Sequence, residues 1–265
     1  MRPIPVVLIV GVGYSGSTLL DLMLGSHSEV VGVGELVGFD AFSQRNSLCT
    51  CWRPRHDCAF WNEVVRCLVG DEPTASFAVH PPHATPTEVV ANTVALFAAI
   101  SRTTSARYVI DSSKRWRRAR ILSQVEALDV RVIHLLRDGR GVGYSHARRG
   151  ESFGDAVEYW ATANLAIRRW LDESDRLPFV TVHYEDLCAD PEGSLTGVCE
   201  FMNLAWEPSM LTFFSVEHHN IAGNPMRLLG QEAIRVDEAW IRALTTEQQA
   251  DFRRLAGAAA TQLGY

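Results

Sequence analysis

Glycines, serines and a threonine stand together in the segment 11–18, which reads GVGYSGST. Glycines allow a sharp turn, hydroxyl groups can donate hydrogen bonds, and leucines at helical spacing follow directly. The free N–H groups and the positive end of the helix dipole would then point at one place. This pattern predicts a site for an anion such as a phosphate group. The alternative is a tight turn without a ligand, because short glycine motifs alone are weak evidence.

A second set of anion-binding residue types lies in the segment 137–149. Arg137 is predicted at the end of a strand, and Ser145 and Arg149 are four residues apart, so they share one face of a helix. The three side chains could converge on one anionic group, for which arginine supplies a bidentate fork. A basic helix with a salt-bridged Arg–Asp turn is the alternative interpretation.

Lys114 and Glu35 are two further candidates for chemistry. Lys114 is the only lysine among 25 basic residues, and it follows a predicted strand at 108–110. Open parallel sheets bind ligands at the carboxyl ends of their strands. Glu35 follows two small glycines, and we predict a short strand that ends at this residue. A solvated surface position is the alternative for both side chains.

Three cysteines, Cys49, Cys51 and Cys58, lie near His56 in a Cys- and Pro-rich insert at about 43–86, which we predict to be irregular. One alternative is a zinc site with His56 as a further ligand, but C-x-C followed by a third cysteine is not a standard zinc-finger spacing. Reduced cysteines that pack a loop are favoured, and we predict no metal.

The elements that must position these residues alternate along the chain. Apolar runs typical of buried strands occur at 6–10, 108–110, 131–136 and 179–184, and polar loops and helical patterns follow them. This alternation predicts an α/β, P-loop-like fold in three layers, with a central, mainly parallel sheet flanked by helices. Because the carboxyl ends of parallel strands lie at one edge, we expect the polar clusters to meet there. We expect a single domain over residues 1–265 and an amphipathic helix at 87–101.

The composition bounds the classes of function. The chain has 265 residues, of which 47% are hydrophobic and 21% charged, as in ordinary globular proteins. Its net charge of −6 argues against a nucleic-acid partner. The sequence has no transmembrane run and its N-terminal apolar run is short for a signal peptide, so we expect no membrane partner and a cytoplasmic location. Arginine in place of lysine indicates a GC-rich bacterial genome, which would fit natural-product tailoring.

Taken together, the segments from Val6 to about Trp240 resemble the sulfotransferases that use 3′-phosphoadenosine-5′-phosphosulfate (PAPS). The resemblance rests on the segments YSGSTL at 14–19, RDGR at 137–140 with Ser145 and Arg149, YEDL at 184–187, and GNPMR at 223–227. The first is similar to the family's 5′-phosphosulfate loop and the second to its 3′-phosphate motif. The resemblance is closest to bacterial sulfotransferases related to protein-tyrosine sulfotransferases.

The resemblance implies transfer of a sulfuryl group from PAPS to a hydroxyl or phenol of a small-molecule acceptor, with PAP (the desulfated donor) as the other product. It implies that donor binding falls to Tyr14, Ser15, Gly16, Ser17, Thr18, Arg137, Ser145, Arg149, Tyr184 and Arg227. The loop residues would hold the 5′-phosphate, and the arginines with Ser145 would select the 3′-phosphate.

The resemblance also implies the catalytic groups. A glutamate at about the distance of Glu35 acts as the base in the relatives, and they also place a lysine after the strand that precedes Lys114. The family usually has Arg or Lys where this chain has Tyr14, so Lys114 is the natural substitute at the leaving group. His27 and His134 are rival bases, although His134 lies in an apolar strand and is expected in the core.

Two functions of other classes stay open. A small-molecule kinase would use the loop G-x-x-x-x-G-K-[ST], but this chain has Ser17 in place of the lysine. A PAP-binding protein without catalysis is the second, because Tyr14 replaces the usual cation.

Overall fold

Five parallel strands form the central sheet, in the order β2-β3-β1-β4-β5. The computed structural model describes residues 2–44, 47–70, 77–229 and 234–265. The strands are β1 (Ile4–Val10), β2 (Val30–Gly32), β3 (Tyr108–Lys114), β4 (Leu128–Leu136) and β5 (Phe179–His183). The predicted parallel sheet is confirmed.

Strand β1 lies in the middle of the sheet because both of its faces are apolar. Val6, Leu8 and Val10 pack into a core on one face of the sheet. Val7 and Ile9 pack into a separate core on the opposite face. The strand pairs with β3 on one side and with β4 on the other, so its carboxyl end lies between theirs.

Helices cover both faces of this sheet. In the described ranges they are α1 (Ser17–Leu24), α2 (Phe39–Gln44), α3 (Ala59–Val69), α4 (Pro86–Thr103), α5 (Trp116–Leu122), α6 (Gly139–Ala147), α7 (Phe153–Asp172), α8 (Tyr184–Ala189), α9 (Pro191–Phe201), α10 (Met226–Leu229), α11 (Ala239–Ala243) and α12 (Thr246–Gln262). Helices α3, α4 and α5 pack on one face, and α1, α8 and α9 pack on the other. A third core joins α6, α7 and α12. The three-layer α/β prediction is therefore confirmed.

Side-chain caps mark the start of five of the described helices, namely α4, α6, α7, α9 and α12. The helix predicted at 87–101 is α4, and its capping box joins Thr85 and Glu88 through each other's backbone N–H groups. None of the described helices has both the length and the apolar character that crossing a bilayer would need.

Two expectations about the first hundred residues need correction. The insert at about 43–86 was expected to be irregular, but α3 lies inside it and buries Trp61 completely. Residues 45–46 and 71–76 of this insert lie outside the described residues. The strand expected to end at Glu35 ends at Gly32, and Gly34 instead forms an isolated bridge with Ile221.

Candidate active site

A cavity of about 740 Å³ opens at the edge of the sheet where β1, β3 and β4 end. Ten of the residues that the sequence singles out line it: Tyr14, Gly16, Ser17, Thr18, Glu35, Lys114, Arg137, Ser145, Arg149 and Tyr184. They lie at or just beyond the carboxyl ends of all five strands and in the segments that follow. The expectation that the polar clusters meet at one edge of the sheet is therefore confirmed.

The glycine loop forms one wall of the cavity. Gly16 has a φ of 93°, and a Cβ atom there would lie 2.5 Å from the Tyr184 ring, so glycine is needed for both reasons. Helix α1 begins at Ser17, and the first N–H groups of a helix have no acceptor within it. Ser17 and Thr18 thus present a helix N-terminus to the cavity, a feature whose free N–H groups suit an anion. Ser15 lies behind this wall, fully buried, and does not line the cavity.

Lys114 and Glu35 form an ion pair at the β3 side of the cavity. The Lys114 Nζ donates to a Glu35 carboxylate oxygen and also reaches the carbonyl of Ser112 at 3.3 Å. Both side chains are mostly buried but keep 16% and 23% of their surface exposed. The Glu35 backbone N–H donates to the Ile221 carbonyl at 3.0 Å, and this hydrogen bond holds the backbone that carries the carboxylate in place. A proton acceptor and a cation therefore stand together beside open space.

A bulge in β3 brings Lys114 to this position. Leu8 pairs with Asp111 and Val10 pairs with Lys114, so β3 has one residue more than β1 across this stretch. Lys114 itself has a φ of 62°, in the left-handed region. Asp111 braces the turn, since it accepts from the Ser113 N–H at 2.9 Å and from Arg118 at 2.5 Å.

Arg137 lies at the opposite end of the cavity and is held on all sides. Its guanidinium donates to the Tyr14 carbonyl at 2.9 Å and to the Asp237 carboxylate at 3.0 Å. It also lies over the Tyr184 ring, 4.6 Å from the centroid. The Trp160 indole donates to the Arg137 carbonyl at 2.9 Å. Only 6% of this arginine is exposed. Its hydrogen bonds join the glycine loop to the segment around Asp237.

Ser145 of helix α6 lines the same end, and so does Arg149, which lies two residues beyond the end of this helix and not on its face as the spacing predicted. The Ser145 hydroxyl donates to the Gly141 carbonyl at 2.8 Å. The Arg149 guanidinium lies 5.0 Å from the centroid of the Tyr14 ring, a cation–π contact. Tyr14 stands where the resembled family has a cation, and its ring contacts the guanidinium of Arg149 beside the cavity. Burial raises the pKa of Tyr184 to about 12, so its phenol stays protonated at neutral pH.

Sequence reasoning singled out Asn224 as part of a family motif but missed Asp21 and Asn220, which also fasten the loop 217–225 to helix α1. The Asn220 amide donates to the Asp21 carboxylate at 2.7 Å, and the Asn224 N–H donates to the Thr18 hydroxyl at 3.1 Å. Asp21 is fully buried, and this burial raises its pKa to about 7. A lone carboxyl group among the leucines of α1 is the one signal in the sequence that could have marked this anchor.

Three other candidates lie away from the cavity. Arg227 does not line it; its guanidinium reaches the Asn220 carbonyl at 3.4 Å, and burial lowers its pKa. His27 is buried, with its Nε2 2.7 Å from the Ala205 carbonyl, and does not line the cavity either. His134 is a core histidine as expected: burial lowers its pKa to about 4, and Asn164 is its partner.

Comparison with known proteins agrees with this geometry. A model of the sulfotransferase family matches residues 5–208, which is most of the chain. The chain belongs to the sulfotransferase family. Among curated relatives in this family, rat sulfotransferase 2A2 is 28% identical over 138 residues, covering 44% of this chain and 48% of the rat enzyme. The match thus spans about half the length of that relative.

Solved structures of sulfotransferases share the fold over nearly the whole chain. The sulfotransferase domain of the Synechococcus PCC 7002 olefin synthase superposes with a TM-score of 0.63 and 26% identity, covering 98% of this chain and 95% of that domain. Mouse sulfotransferase SULT7A1, solved in complex with PAP, has a TM-score of 0.54 and 12% identity, covering 98% of this chain and 84% of the mouse chain. The second likeness concerns the fold alone.

Proposed function

We propose that the protein transfers a sulfuryl group from PAPS to a hydroxyl or phenol of a small-molecule acceptor. The observation that carries this proposal is that Ser17 and Arg137 line the same cavity. A helix N-terminus and an arginine that line one cavity are two separate anion-binding groups, and they suit a nucleotide that carries phosphate groups at two positions. Membership of the sulfotransferase family and the PAP found in a structure of the same fold support PAPS as that nucleotide.

The donor would lie with its 5′-phosphosulfate on the glycine loop. The N–H groups of Ser17 and Thr18 would hold the 5′-phosphate, as helix termini hold anions elsewhere. Arg137, Ser145 and Arg149 would take the 3′-phosphate. For Arg137 this requires the phosphate to share or replace the Asp237 carboxylate as its partner.

The reaction needs a base and a cation at the transferring group. The acceptor oxygen attacks the sulfur atom, its proton passes to the Glu35 carboxylate, and the bond between sulfur and the 5′-phosphate oxygen breaks. Charge grows on that leaving oxygen, and the Lys114 ammonium would stabilise it. Sulfate ester and PAP are formed. The closeness of Glu35 and Lys114 suits these roles. The base must lie by the attacking oxygen and the cation by the leaving oxygen, and both oxygens are bound to the same sulfur atom during transfer.

Donor identity can be tested by ligand-induced stabilisation. We expect PAP to raise the melting temperature of the full chain clearly more than ATP with magnesium does, because the cavity lacks the lysine of a triphosphate loop at Ser17. A larger shift with ATP and magnesium would favour the kinase alternative and overturn the proposal.

Catalysis can be tested with radiolabelled PAPS and a panel of alcohols and phenols. We expect label to move to at least one acceptor and PAP to accumulate in equal amount. Tight PAP binding with no labelled product from any acceptor would instead mean a PAP-binding protein without transferase activity.

A further inference from the structure

A cluster of three cysteines and one histidine lies outside the proposed donor site. Its members are Cys49, Cys51, Cys58 and His219, and their Sγ and ring nitrogen atoms all lie within 4.8 Å of one another. Cys49 and Cys58 are buried, and the other two are half-buried. The histidine is 161 positions beyond the last of the cysteines in the chain. His56, the ligand that the sequence suggested, is not a member of this cluster.

The spacing of these atoms is that of a tetrahedral zinc site. Sγ of Cys58 lies 3.6 Å from Sγ of Cys51 and 3.9 Å from Sγ of Cys49. Nδ1 of His219 lies 3.5 Å from Cys58 and 3.8 Å from Cys49. Zinc binds sulfur at about 2.3 Å and imidazole nitrogen at about 2.0 Å, so tetrahedral coordination would put two sulfur atoms about 3.8 Å apart and sulfur and nitrogen about 3.5 Å apart. Four ligand atoms of the preferred types therefore surround one point.

Hydrogen bonds and ring packing hold the chain around the cluster in place. The Cys49 N–H donates to the Arg53 carbonyl at 2.8 Å and the Trp52 N–H donates back to Cys49 at 2.9 Å, so the C-x-C pair sits on a tight turn. Cys58 lies at the N-terminus of α3. The His219 ring stacks on Phe60 with an angle of 3° between the planes. These contacts hold the ligand atoms before any ion binds.

The remaining contacts also suit a ligand histidine. Nε2 of His219 faces away from the cluster, 3.9 Å from the exposed Glu217 carboxylate, so the second ring nitrogen stays open to an outer acceptor of the kind that commonly orients a zinc-bound imidazole. The Trp61 indole donates to the His219 carbonyl at 2.8 Å. A disulfide does not explain the cluster. A sulfur–sulfur bond is about 2.05 Å long, whereas Cys58 lies 3.6 Å and 3.9 Å from the other two sulfur atoms. A disulfide would also leave His219 without a role.

We propose that Cys49, Cys51, Cys58 and His219 bind one zinc ion, which fastens the loop 217–225 to the cysteine-rich segment before α3. Four protein ligands complete the coordination of zinc, so the site is structural and leaves no position for substrate. The ion replaces the protons of the three thiols, which are released on binding.

The site would act on the cavity through the loop that it holds. Ile221 follows the histidine by two residues and accepts from the Glu35 N–H, and Asn224 donates to Thr18. Zinc binding would therefore stabilise the cavity walls at Glu35 and at the N-terminus of α1. Removal of the zinc ion should loosen both walls.

Metal content of the purified full chain tests the proposal directly. We expect about one zinc per chain in the wild type expressed with zinc, and a loss of most of it in Cys58→Ser and His219→Ala. Cys67→Ser is the matched control, because Cys67 lies in α3 but outside the cluster, next to Glu63 and Thr103. This control should keep its zinc.

Two measurements on the wild type cover the case in which the variants fail to fold. Replacement of zinc by cobalt(II) should produce a thiolate-to-cobalt charge-transfer band and tetrahedral d–d bands. Chelation of the ion should expose three further reactive thiols per chain and lower the melting temperature. A wild type that holds no stoichiometric zinc and gives no such cobalt spectrum overturns the proposal, and so does a disulfide among the three cysteines. These readouts do not depend on sulfuryl transfer.

Discussion

At the β3 end of the cavity, Lys114 and Glu35 mainly contact each other, and both keep part of their surface exposed. At the other end, Arg137 is nearly covered, with the Tyr14 carbonyl, Asp237 and the Tyr184 ring around it. The first arrangement leaves a cation and a carboxylate able to exchange partners during a reaction. The second fixes a charge in one place. We infer that the first end serves chemistry and the second serves recognition, so variants at the two ends should differ in kind.

Replacement of the proposed base tests the chemical end most strongly. Glu35→Gln keeps the size of the side chain but removes its ability to take a proton. We expect turnover to fall by about 10²–10⁴-fold, the usual contribution of a general base. PAP affinity, measured by calorimetry, should stay nearly unchanged, because Glu35 binds neither phosphate group of the donor in this proposal. Unchanged turnover would place the base elsewhere.

Lys114→Met should have the next largest effect. Loss of a cation at the leaving oxygen is expected to lower turnover by about 10²–10³-fold, as loss of a transition-state donor does elsewhere. Lys114→Arg should recover only part of this, because a planar guanidinium does not replace a compact ammonium on the short turn after β3. Single-turnover kinetics with PAPS would measure both. Full activity in Lys114→Met would contradict the leaving-group role.

Arg137→Ala tests the recognition end. Loss of a charged hydrogen-bond donor is worth about 1.5–3 kcal/mol, so PAP affinity should fall by roughly 10–100-fold. Arg131→Ala is a suitable control: this arginine lies within β4, the strand that Arg137 follows, does not line the cavity, and pairs with Asp129 at 2.9 Å. Its loss should leave PAP affinity unchanged in calorimetry. Equal affinity in Arg137→Ala would refute the 3′-phosphate assignment.

The sequence predicted both ends of the cavity because their residues follow strands, and strand ends converge in a parallel sheet. The glycine loop and the Arg137, Ser145, Arg149 set each lie within one short segment, so local residue types and their spacing after a strand predicted them. The segment 217–237 carries no such period. Its Asp237 and His219 reach their partners only through the tertiary fold.

The same limit applies to other parts of the chain. Arg227 is predicted to bind the donor because its motif is typical of the resembled family; it lies in α10, its guanidinium reaches the Asn220 carbonyl and it does not line the cavity, so its role stays a prediction. Helix α3 was missed although Trp61, Val64 and Leu68 have helical spacing. Its start carries no capping side chain, since Cys58 occupies the N-cap without such a bond.

Asp237→Asn should give the smallest effect and sharpens the comparison at the recognition end. The Asp237 carboxylate takes one Arg137 nitrogen at 3.0 Å, so a donor phosphate at Arg137 would meet a like charge there. The carboxylate is 43% exposed, and solvent weakens the repulsion. Asparagine keeps an acceptor for the guanidinium but removes the charge. We therefore expect PAP to bind roughly threefold more tightly, a change of about 0.6 kcal/mol.

The dependence of this gain on salt distinguishes repulsion from simple loosening of the arginine. If the carboxylate repels the phosphate, the difference in PAP affinity between Asp237→Asn and the wild type should shrink as salt increases, because exposed charges are screened. If asparagine only frees Arg137 to move, the difference should persist at high salt and the melting temperature of the free protein should fall. Weaker PAP binding in Asp237→Asn at every salt concentration would mean that the carboxylate holds Arg137 in the orientation that the donor needs.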